Sequence, residues 1–279
     1  MEYYEHEPVS LYLNNLKLIE KVVSSKQTIQ LLKHPWLGKV LIINGEIQHI
    51  EKYQVLYHEL LVHLPIAFIP IVEDVLILGG GSLFAAYEVL KYPTVKSITL
   101  CDHDHNVLDV MERHYPHASA VRKDPKFALI EQDADDFIHA ASKKYDLIIN
   151  DCFNLALKSD EDGVSYFNLM KNLCTDNGVC VNIIYRHIFD RKTTIDTLKY
   201  LHQESRLALS LITVPEYPGI LHLETIWGKF AYISQKCKEV INQYQKMWKE
   251  SPNPFTYYST RNLPYYLYLP PYISNMFNL

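Results

Sequence analysis

Features that are scarce in this chain of 279 residues exclude several classes of protein. Its cysteines are odd in number and form no C-x-x-C pair, which favours reduced, mostly buried thiols in a cytoplasmic protein over a disulfide framework. The 13 histidines show no ligand spacing beside a carboxylate, so we predict no metal site. Residues 60–78 are the longest apolar region, but prolines and acidic residues break it, which argues against a membrane span. The five cysteines are Cys101, Cys152, Cys174, Cys180 and Cys237.

The composition is that of an ordinary globular protein. With 48% hydrophobic residues, the chain can bury the core of one large domain, or of a large and a small one. The acidic, polar N-terminus predicts no signal peptide. A net charge of −5 argues against nucleic acid as a partner and suits cationic substrates slightly better.

The most informative segment is an apolar run that ends in three glycines, Val75-Leu76-Ile77-Leu78-Gly79-Gly80-Gly81-Ser82. A helical pattern follows over residues 83–91. Glycine lets the backbone approach a ligand closely, and the N-terminus of the helix offers unpaired N–H groups. About twenty residues later, a second apolar run ends in Asp102, where a nucleoside-binding α/β fold holds a ribose hydroxyl. The two features predict a nucleoside site; the alternative is that the glycines only form a tight strand-to-helix connection.

The first 55 residues have the pattern of short strands. Residues 27–32 and 39–43 are typical of strands. Asn44-Gly45 follows the second of these, and this pair is a strong hairpin signal because both central residues of a type I′ turn need positive φ. We therefore predict a small antiparallel β domain, followed by a helix over residues 53–64.

Strands and helices alternate beyond residue 74. This rhythm predicts a mostly parallel, Rossmann-like sheet with right-handed crossovers. Two later runs, 208–214 and 229–234, predict an antiparallel hairpin at the edge of that sheet. The tail from residue 257, rich in Tyr and Pro, is expected to pack over the surface. Strands are predicted over 75–80, 97–102, 127–132, 146–151 and 179–185, and helices over 83–91, 105–114, 134–142, 165–173 and 192–204.

Ligands of such sheets bind beyond the C-terminal ends of the strands. That rule brings together four loops with polar or acidic residues: 79–82, 102–104, 133–135 and 151–155. Acidic residues at these positions also cap the following helices, and we interpret Asp135 as such a cap.

Several segments resemble a known family, the polyamine aminopropyltransferases, which comprise spermidine synthase and its relatives. Ser25-Lys26-Gln27-Thr28-Ile29 is similar to the family's S-x-Y-Q-x-I strand, and Ile43-Asn44-Gly45-Glu46-Ile47-Gln48 to its L-D-G-x-x-Q hairpin. Tyr57-His58-Glu59-Leu60-Leu61-Val62-His63-Leu64-Pro65 is close to its Y-H-E-x-L-x-H-x-P helix. The helix pattern Y-H-E-x-L-x-H-x-P is quite specific.

The resemblance continues through the remainder of the chain. Gly79-Gly80-Gly81-Ser82 stands where the family has G-G-G-D, and Thr99-Leu100-Cys101-Asp102 where it has T-L-V-E. Tyr145-Asp146-Leu147-Ile148-Ile149-Asn150-Asp151 matches Y-D-V-I-I-x-D. Gln132-Asp133-Ala134 resembles G-D-[AG], and Val214-Pro215-Glu216-Tyr217-Pro218 matches V-P-x-Y-P. The motifs occur in the family's order.

The resemblance implies an activity and a fold. The family transfers an aminopropyl group from decarboxylated S-adenosylmethionine to an amine such as putrescine, and releases methylthioadenosine. Decarboxylated S-adenosylmethionine is a co-substrate, and no cofactor is implied. The implied fold is that of class I methyltransferases, with an N-terminal β-hairpin domain over residues 1–56 and a catalytic domain over 57–279. Dimers or tetramers are common in the family, so a homo-oligomer is expected.

Site residues follow by matching motif positions. Asp151 would be the base that accepts the proton of the amine, because an amine with a pKa near 10 is almost wholly protonated at neutral pH. Aromatic faces beside the amine suit its positive charge. The residues that the resemblance assigns to the adenosyl donor are Gln27, Gly79, Gly80, Gly81, Ser82, Asp102, Asp133 and Ala134. Those that it assigns to the acceptor amine are Tyr57, His58, Asn154 and Tyr217.

Several anionic positions of the family are neutral in this chain. Ser82 replaces the aspartate of G-G-G-D, Asn154 the second aspartate of D-[ST]-[ST]-D-P, and Asn44 the hairpin aspartate. Losing one charged partner of an ammonium costs about 1.5–3 kcal/mol of binding. Glu161 and Glu224 are candidates to replace the lost charges.

Three interpretations follow from these departures. The first is a divergent aminopropyltransferase that keeps Asp151 as its base. The second is an enzyme with altered chemistry, such as an S-adenosylmethionine-dependent methyltransferase, because Ser82 would no longer repel the carboxylate of the ordinary donor. The third is a non-catalytic relative with a binding or scaffolding role.

Overall fold

The computed structural model describes residues 11–152, 160–187, 191–204, 206–218, 220–228 and 255–277. These residues form a small sheet, a large sheet and the helices that cover the large one. No helix in these ranges is both long enough and apolar enough to cross a membrane.

The small sheet is antiparallel throughout, and its four strands follow each other in chain order. Its central hairpin turns at Asn44 and Gly45, whose φ angles are 52° and 88°. The side chain of Asn44 also accepts a hydrogen bond from the backbone N–H of Thr28, at 2.9 Å. The predicted β-hairpin is therefore confirmed. The strands are β1 Lys17–Val23, β2 Thr28–His34, β3 Gly38–Ile43 and β4 Glu46–Ile50.

The large sheet has seven strands in the order β10-β11-β9-β8-β5-β6-β7. The five strands from β9 to β7 run parallel, whereas β11 is antiparallel to both β9 and β10. The mostly parallel sheet with a terminal antiparallel hairpin confirms the predicted Rossmann-like fold. Its strands are β5 Asp74–Gly79, β6 Ser97–Asp102, β7 Phe127–Glu131, β8 Tyr145–Asp151, β9 Cys174–His187, β10 Arg206–Ile212 and β11 Ile220–Gly228.

Helices connect the parallel strands, as right-handed crossovers require. The first helix, α1, precedes the sheet, and every residue of it from His58 to Ile66 is buried, because it lies between the sheet and other covering segments. The helices are α1 Gln54–Ile66, α2 Phe84–Leu90, α3 His105–His114, α4 Pro116–Lys123, α5 Ala134–Ala140, α6 Asp160–Leu173, α7 Arg191–Glu204, α8 Leu263–Tyr266 and α9 Pro271–Phe277.

The structure corrects three details of the sequence prediction. The second strand of the edge hairpin is β11, at 220–228, whereas the predicted run 229–234 lies outside the described residues. Helix α4 was not predicted. The cap of α5 is Asp133, which accepts a hydrogen bond from the N–H of Asp135 at 2.8 Å, so the interpretation of Asp135 as the cap was wrong.

The two sheets share one hydrophobic core. Ile29, Leu31 and Leu41 of the small sheet belong to the same buried cluster as Ile77 and Val181 of the large one. Close packing of this kind fixes the small sheet against the C-terminal ends of the parallel strands, where the candidate site lies.

Candidate active site

The site lies where the strand order of the large sheet reverses direction. Strand β5 sits between β6 and β8, and Gly79 at its end pairs with Asp151 at the end of β8. The crevice at such a switch point is where open α/β sheets bind their ligands.

The glycine turn brings backbone close to this crevice. Gly79 and Gly80 both have a φ of 75°, a conformation that side chains disfavour. A Cβ atom on Gly79 would lie 2.6 Å from the Cβ of Cys152, and one on Gly81 would lie 2.9 Å from Oδ2 of Asp102. The glycines are therefore required by crowding as well as by backbone conformation.

Asp102 ends β6 with its carboxylate turned toward the glycine turn. Oδ1 accepts a hydrogen bond from the N–H of Asp104 at 3.0 Å, and the backbone of Gly81 also bonds to the carboxylate. Burial raises the pKa of Asp102, and these N–H groups oppose that effect. The carboxylate keeps acceptor capacity on the cavity side, as a ribose-binding group needs.

The turn between β1 and β2 is hydrogen-bonded to the segment that follows β6. Ser24 donates a hydrogen bond to Oδ2 of Asp104 at 2.6 Å, and Ser24 also bonds to the backbone of Gln27. Gln27 is almost wholly buried and lies on the cavity wall. The small sheet thus supplies part of the wall beside Asp102.

Asp151 and Tyr57 form the best-defined pair of the site. The phenol of Tyr57, on α1, donates a hydrogen bond to Oδ1 of Asp151 at 2.5 Å. Burial raises the pKa of Asp151 to about 7, the charge of Asp102 adds to the rise, and the bond from Tyr57 opposes it. A carboxylate with a pKa near neutrality is well matched to act as a general base.

His58 lies beside Tyr57 with its ring enclosed. Its Nδ1 lies 2.9 Å from the carbonyl oxygen of Gln54, and its ring centroid lies 5.0 Å from that of Phe84. Burial lowers the pKa of His58 to about 4, so the imidazole is neutral at physiological pH. It contributes an uncharged surface to the wall.

Ten of the predicted site residues line one cavity of about 400 Å³. Tyr217 closes one side of it, and its hydroxyl donates a hydrogen bond to the carbonyl of Ile47 at 2.7 Å. The ten residues are Gln27, Tyr57, His58, Gly79, Gly80, Gly81, Ser82, Asp102, Asp151 and Tyr217.

Three predicted residues are not among those lining the cavity. Asp133 caps α5, and Ala134 is buried in the cluster that contains Cys101, next to the end of β6 rather than on the wall. Asn154 lies outside the described residues. Of the proposed replacements for the lost charges, Glu224 is fully buried away from the cavity, and the side chain of Glu161 is not described.

The structure adds residues that sequence patterns did not single out. Glu46, His49, Gln54 and Glu216 all lie on the wall. Glu216 occupies the variable position of V-P-x-Y-P, so its motif gives it no role. The position of this carboxylate depends on a contact with the backbone of Ile50, 166 residues away, which no local signal reveals.

The cavity is acidic. Four carboxylates line it, and no lysine or arginine does so among the described residues. Such a wall favours a cationic ligand, and the aromatic faces of Tyr57 and Tyr217 add cation–π attraction. Within the described residues, no group of three or more His, Cys, Asp or Glu side chains is arranged to hold a metal ion.

Comparisons with known proteins agree on one family. A family model described as the spermine/spermidine synthase domain matches residues 54–237. A polyamine aminopropyltransferase of Buchnera aphidicola subsp. Acyrthosiphon pisum (strain Tuc7) is 30% identical over 287 residues, which cover 98% of this chain and 97% of that relative. Putrescine N-methyltransferase 2 of Nicotiana tabacum is 33% identical over 207 residues, or 72% of this chain and 58% of the relative.

The fold has a solved counterpart. A crystal structure of spermidine synthase in complex with the transition-state analogue AdoDATO superposes with a TM-score of 0.83 at 21% sequence identity. The superposition covers 99% of this chain and 93% of the other. This likeness concerns the arrangement of strands and helices.

Proposed function

The chain belongs to the spermine/spermidine synthase family, and from this premise we propose that it is a polyamine aminopropyltransferase. It transfers an aminopropyl group from decarboxylated S-adenosylmethionine to an amine such as putrescine. The amine nitrogen forms a bond to the carbon of the aminopropyl group that is attached to the sulfonium sulfur. The carbon–sulfur bond breaks with its electron pair going to sulfur, and methylthioadenosine leaves.

The observation that carries this proposal is the buried Asp151 on the wall of a cavity lined by carboxylates. An ammonium cannot attack until it has lost a proton, and its pKa near 10 leaves little free base at neutral pH. Asp151 accepts that proton at its carboxylate. The bond from Tyr57 keeps the carboxylate oriented and partly ionised despite its burial.

Asp102 and Gln27 bind the nucleoside of the donor in this proposal. Asp102 lies at the end of β6 with its carboxylate beside Gly81, where the backbone can approach a ligand. Asp133 and Ala134 are proposed to contact adenine from the neighbouring loop, and Asn154 to contact the amine. Tyr57, His58 and Tyr217 enclose the amine with uncharged and aromatic surfaces.

A second candidate reaction is methyl transfer from ordinary S-adenosylmethionine. Ser82 lines the cavity where the family has an aspartate, so this wall lacks one carboxylate that would repel the carboxylate of the ordinary donor. The relative named putrescine N-methyltransferase 2 is 33% identical to this chain over 207 residues, which cover 72% of the chain. Asp151 would serve either reaction, because the amine must lose a proton in both.

A donor comparison tests the proposal. The purified protein is incubated with decarboxylated or ordinary S-adenosylmethionine and a panel of amines, and the nucleoside products are identified by mass spectrometry. Methylthioadenosine that depends on both the decarboxylated donor and an amine is the expected product. Adenosylhomocysteine would instead assign methyl transfer. Neither product, with methylthioadenosine still binding, would favour a non-catalytic relative.

Asp151→Asn is the matched variant for this assay. It keeps the shape of the side chain and removes the proton acceptor, so turnover should be lost while methylthioadenosine binds with nearly unchanged affinity. Equal turnover in the variant would remove Asp151 from the role of base.

The setting of the enzyme is proposed from the composition of the chain and from the family resemblance. We propose a cytoplasmic homodimer or homotetramer that needs no cofactor and acts on small molecules, with neither nucleic acid nor a membrane as a partner. Sedimentation of the purified protein would give its oligomeric state.

A further inference from the structure

Glu216 is a carboxylate of the cavity wall that the proposed reaction leaves without a role. Of the four carboxylates on the wall, Asp102 is assigned to the nucleoside and Asp151 to the proton of the attacking amine. Glu46 is exposed to solvent, which screens its charge. Glu216 is only 4% exposed and still borders the cavity.

One oxygen of Glu216 has a structural partner. Oε1 accepts a hydrogen bond from the backbone N–H of Ile50 at 2.8 Å, which ties the loop after β10 to the end of β4. Among the described residues, no lysine, arginine or histidine forms an ion pair with it. Burial raises the pKa of Glu216, and hydrogen bonds from the backbone N–H groups of Ile50 and of Glu216 itself only partly oppose this.

A buried carboxylate without a cation is costly for a protein to keep. The penalty falls when an opposite charge arrives within contact distance and the remaining lone pairs are bonded. An aliphatic ammonium supplies both a charge and three donors. The position of Glu216 on the same cavity wall as Asp151 therefore suits a ligand with two ammonium groups.

We propose that Glu216 binds the second ammonium group of the acceptor, an aliphatic diamine whose first nitrogen lies at Asp151. This inference rests on the proposed function for the identity of the first nitrogen. The methylene chain between the two nitrogens then lies against the ring of Tyr217, which follows Glu216 and lines the same cavity. Glu216 restores a negative charge to a cavity that has Ser82 at a family aspartate position.

Binding of the amines separates this role from a purely structural one. The affinities of 1,4-diaminobutane and n-butylamine are measured by calorimetry with the protein saturated with methylthioadenosine. Glu216→Gln keeps an oxygen that can accept from Ile50, and it loses only the charge. We expect the intact protein to bind the diamine roughly tenfold or more tightly than the monoamine, and the variant to lose that preference while its affinity for n-butylamine stays the same.

Glu224→Gln is the matched control. Glu224 is also a buried carboxylate without a described partner, but it does not line the cavity. The preference for the diamine should survive in this variant. Glu216→Asp is a second test that retains the charge on a shorter side chain, so the preferred diamine should become longer, from 1,4-diaminobutane toward 1,5-diaminopentane.

Three results would overturn the assignment. These are a preference that survives Glu216→Gln, an equal loss of affinity for both amines, and an intact protein that binds both amines alike. The donor assay decides the proposed function separately. A preference for the diamine that depends on Glu216, without any aminopropyl transfer, would refute the proposed reaction and keep the binding site. Aminopropyl transfer without a preference that depends on Glu216 would keep the reaction and refute the binding site.

Discussion

The phenol of Tyr57 donates a hydrogen bond to Oδ1 of Asp151 across 94 residues of sequence, at 2.5 Å. This bond joins the first helix to the end of β8, and it lowers the pKa of the proposed base. A hydrogen bond to a carboxylate favours its ionised form. Burial acts in the opposite direction and dominates, so the pKa of Asp151 rises to about 7.

Tyr57→Phe should move the acidic limb of the pH profile to higher pH. The variant removes the group that lowers the pKa of Asp151, so a higher pH is needed to ionise the base. Turnover with saturating substrates should rise with pH in both proteins, with its midpoint displaced upward in the variant. Tyr217→Phe is the control, because that hydroxyl bonds to Ile47 rather than to Asp151. Coincident midpoints in Tyr57→Phe and the unaltered enzyme would contradict the assignment.

Patterns along the sequence were sufficient for the parallel part of the sheet. Strands β5, β6 and β8 are buried on both faces, so each is a nearly continuous apolar run that is visible without knowledge of its neighbours. Strand β11 was placed too late because His222, Glu224 and Thr225 interrupt its apolar pattern. These polar side chains are buried by the packing of the sheet, which local sequence does not show.

The candidate site was predictable to the extent that its residues stand in motifs. Gly79, Asp102 and Asp151 are the last residues of apolar strands, and ligands of such sheets bind at the C-terminal ends of the strands, so these positions could be located from the sequence. Glu216 lies on the wall because its loop folds back on Ile50, and Asp133 caps α5 by accepting a hydrogen bond from the backbone N–H of Asp135. Both outcomes depend on contacts that form only in the folded chain.

Glu59 is a structural residue of the Y-H-E segment. Its carboxylate is buried and accepts hydrogen bonds from the backbone N–H groups of Thr256, Tyr257 and Tyr258, at 2.7, 2.7 and 2.6 Å. Glu59→Ala leaves these donors without their partner, so the free energy of unfolding should fall by about 3 kcal/mol or more. Urea denaturation measures the change.

Glu112→Ala provides the comparison for Glu59. Glu112 is partly exposed and contacts Arg122 at 3.3 Å, and a surface pair of this kind is worth at most about 1 kcal/mol. Equal losses in the two variants would show that the contacts of Glu59 with residues 256–258 do not stabilise the fold.

Gly79→Ala should damage both stability and nucleoside binding. Its Cβ would meet Cys152 at 2.6 Å, and the φ of 75° is unfavourable for alanine. Gly45→Ala separates these causes, because Gly45 has a φ of 88° but nothing within 4 Å of an added Cβ. We expect Gly45→Ala to lower the free energy of unfolding by roughly 1 kcal/mol, from backbone strain alone. Gly79→Ala should lower the free energy of unfolding by clearly more. Similar losses of unfolding free energy would refute the crowding at the glycine turn.

Glu224 allows the cost of a lone buried carboxylate to be measured as a function of pH. Neither of its oxygens has a hydrogen-bond partner among the described residues, and burial raises its pKa to about 8. The folded protein therefore holds a proton here that the unfolded chain releases at a lower pH, near its ordinary value. The stability that this group contributes is complete below that ordinary pKa and is lost as the pH rises toward 8.

Glu224→Gln should become more stable relative to the unaltered protein as the pH rises. The neutral amide has no ionisation to suppress, so the difference in unfolding free energy should grow by up to about 1.4 kcal/mol per pH unit between pH 5 and pH 8. Ionisation of Asp151 occurs in both proteins and cancels in the difference. Urea unfolding at three pH values across this interval measures the slope. A difference that does not change with pH would mean that Glu224 is ionised in the folded protein and has a partner there.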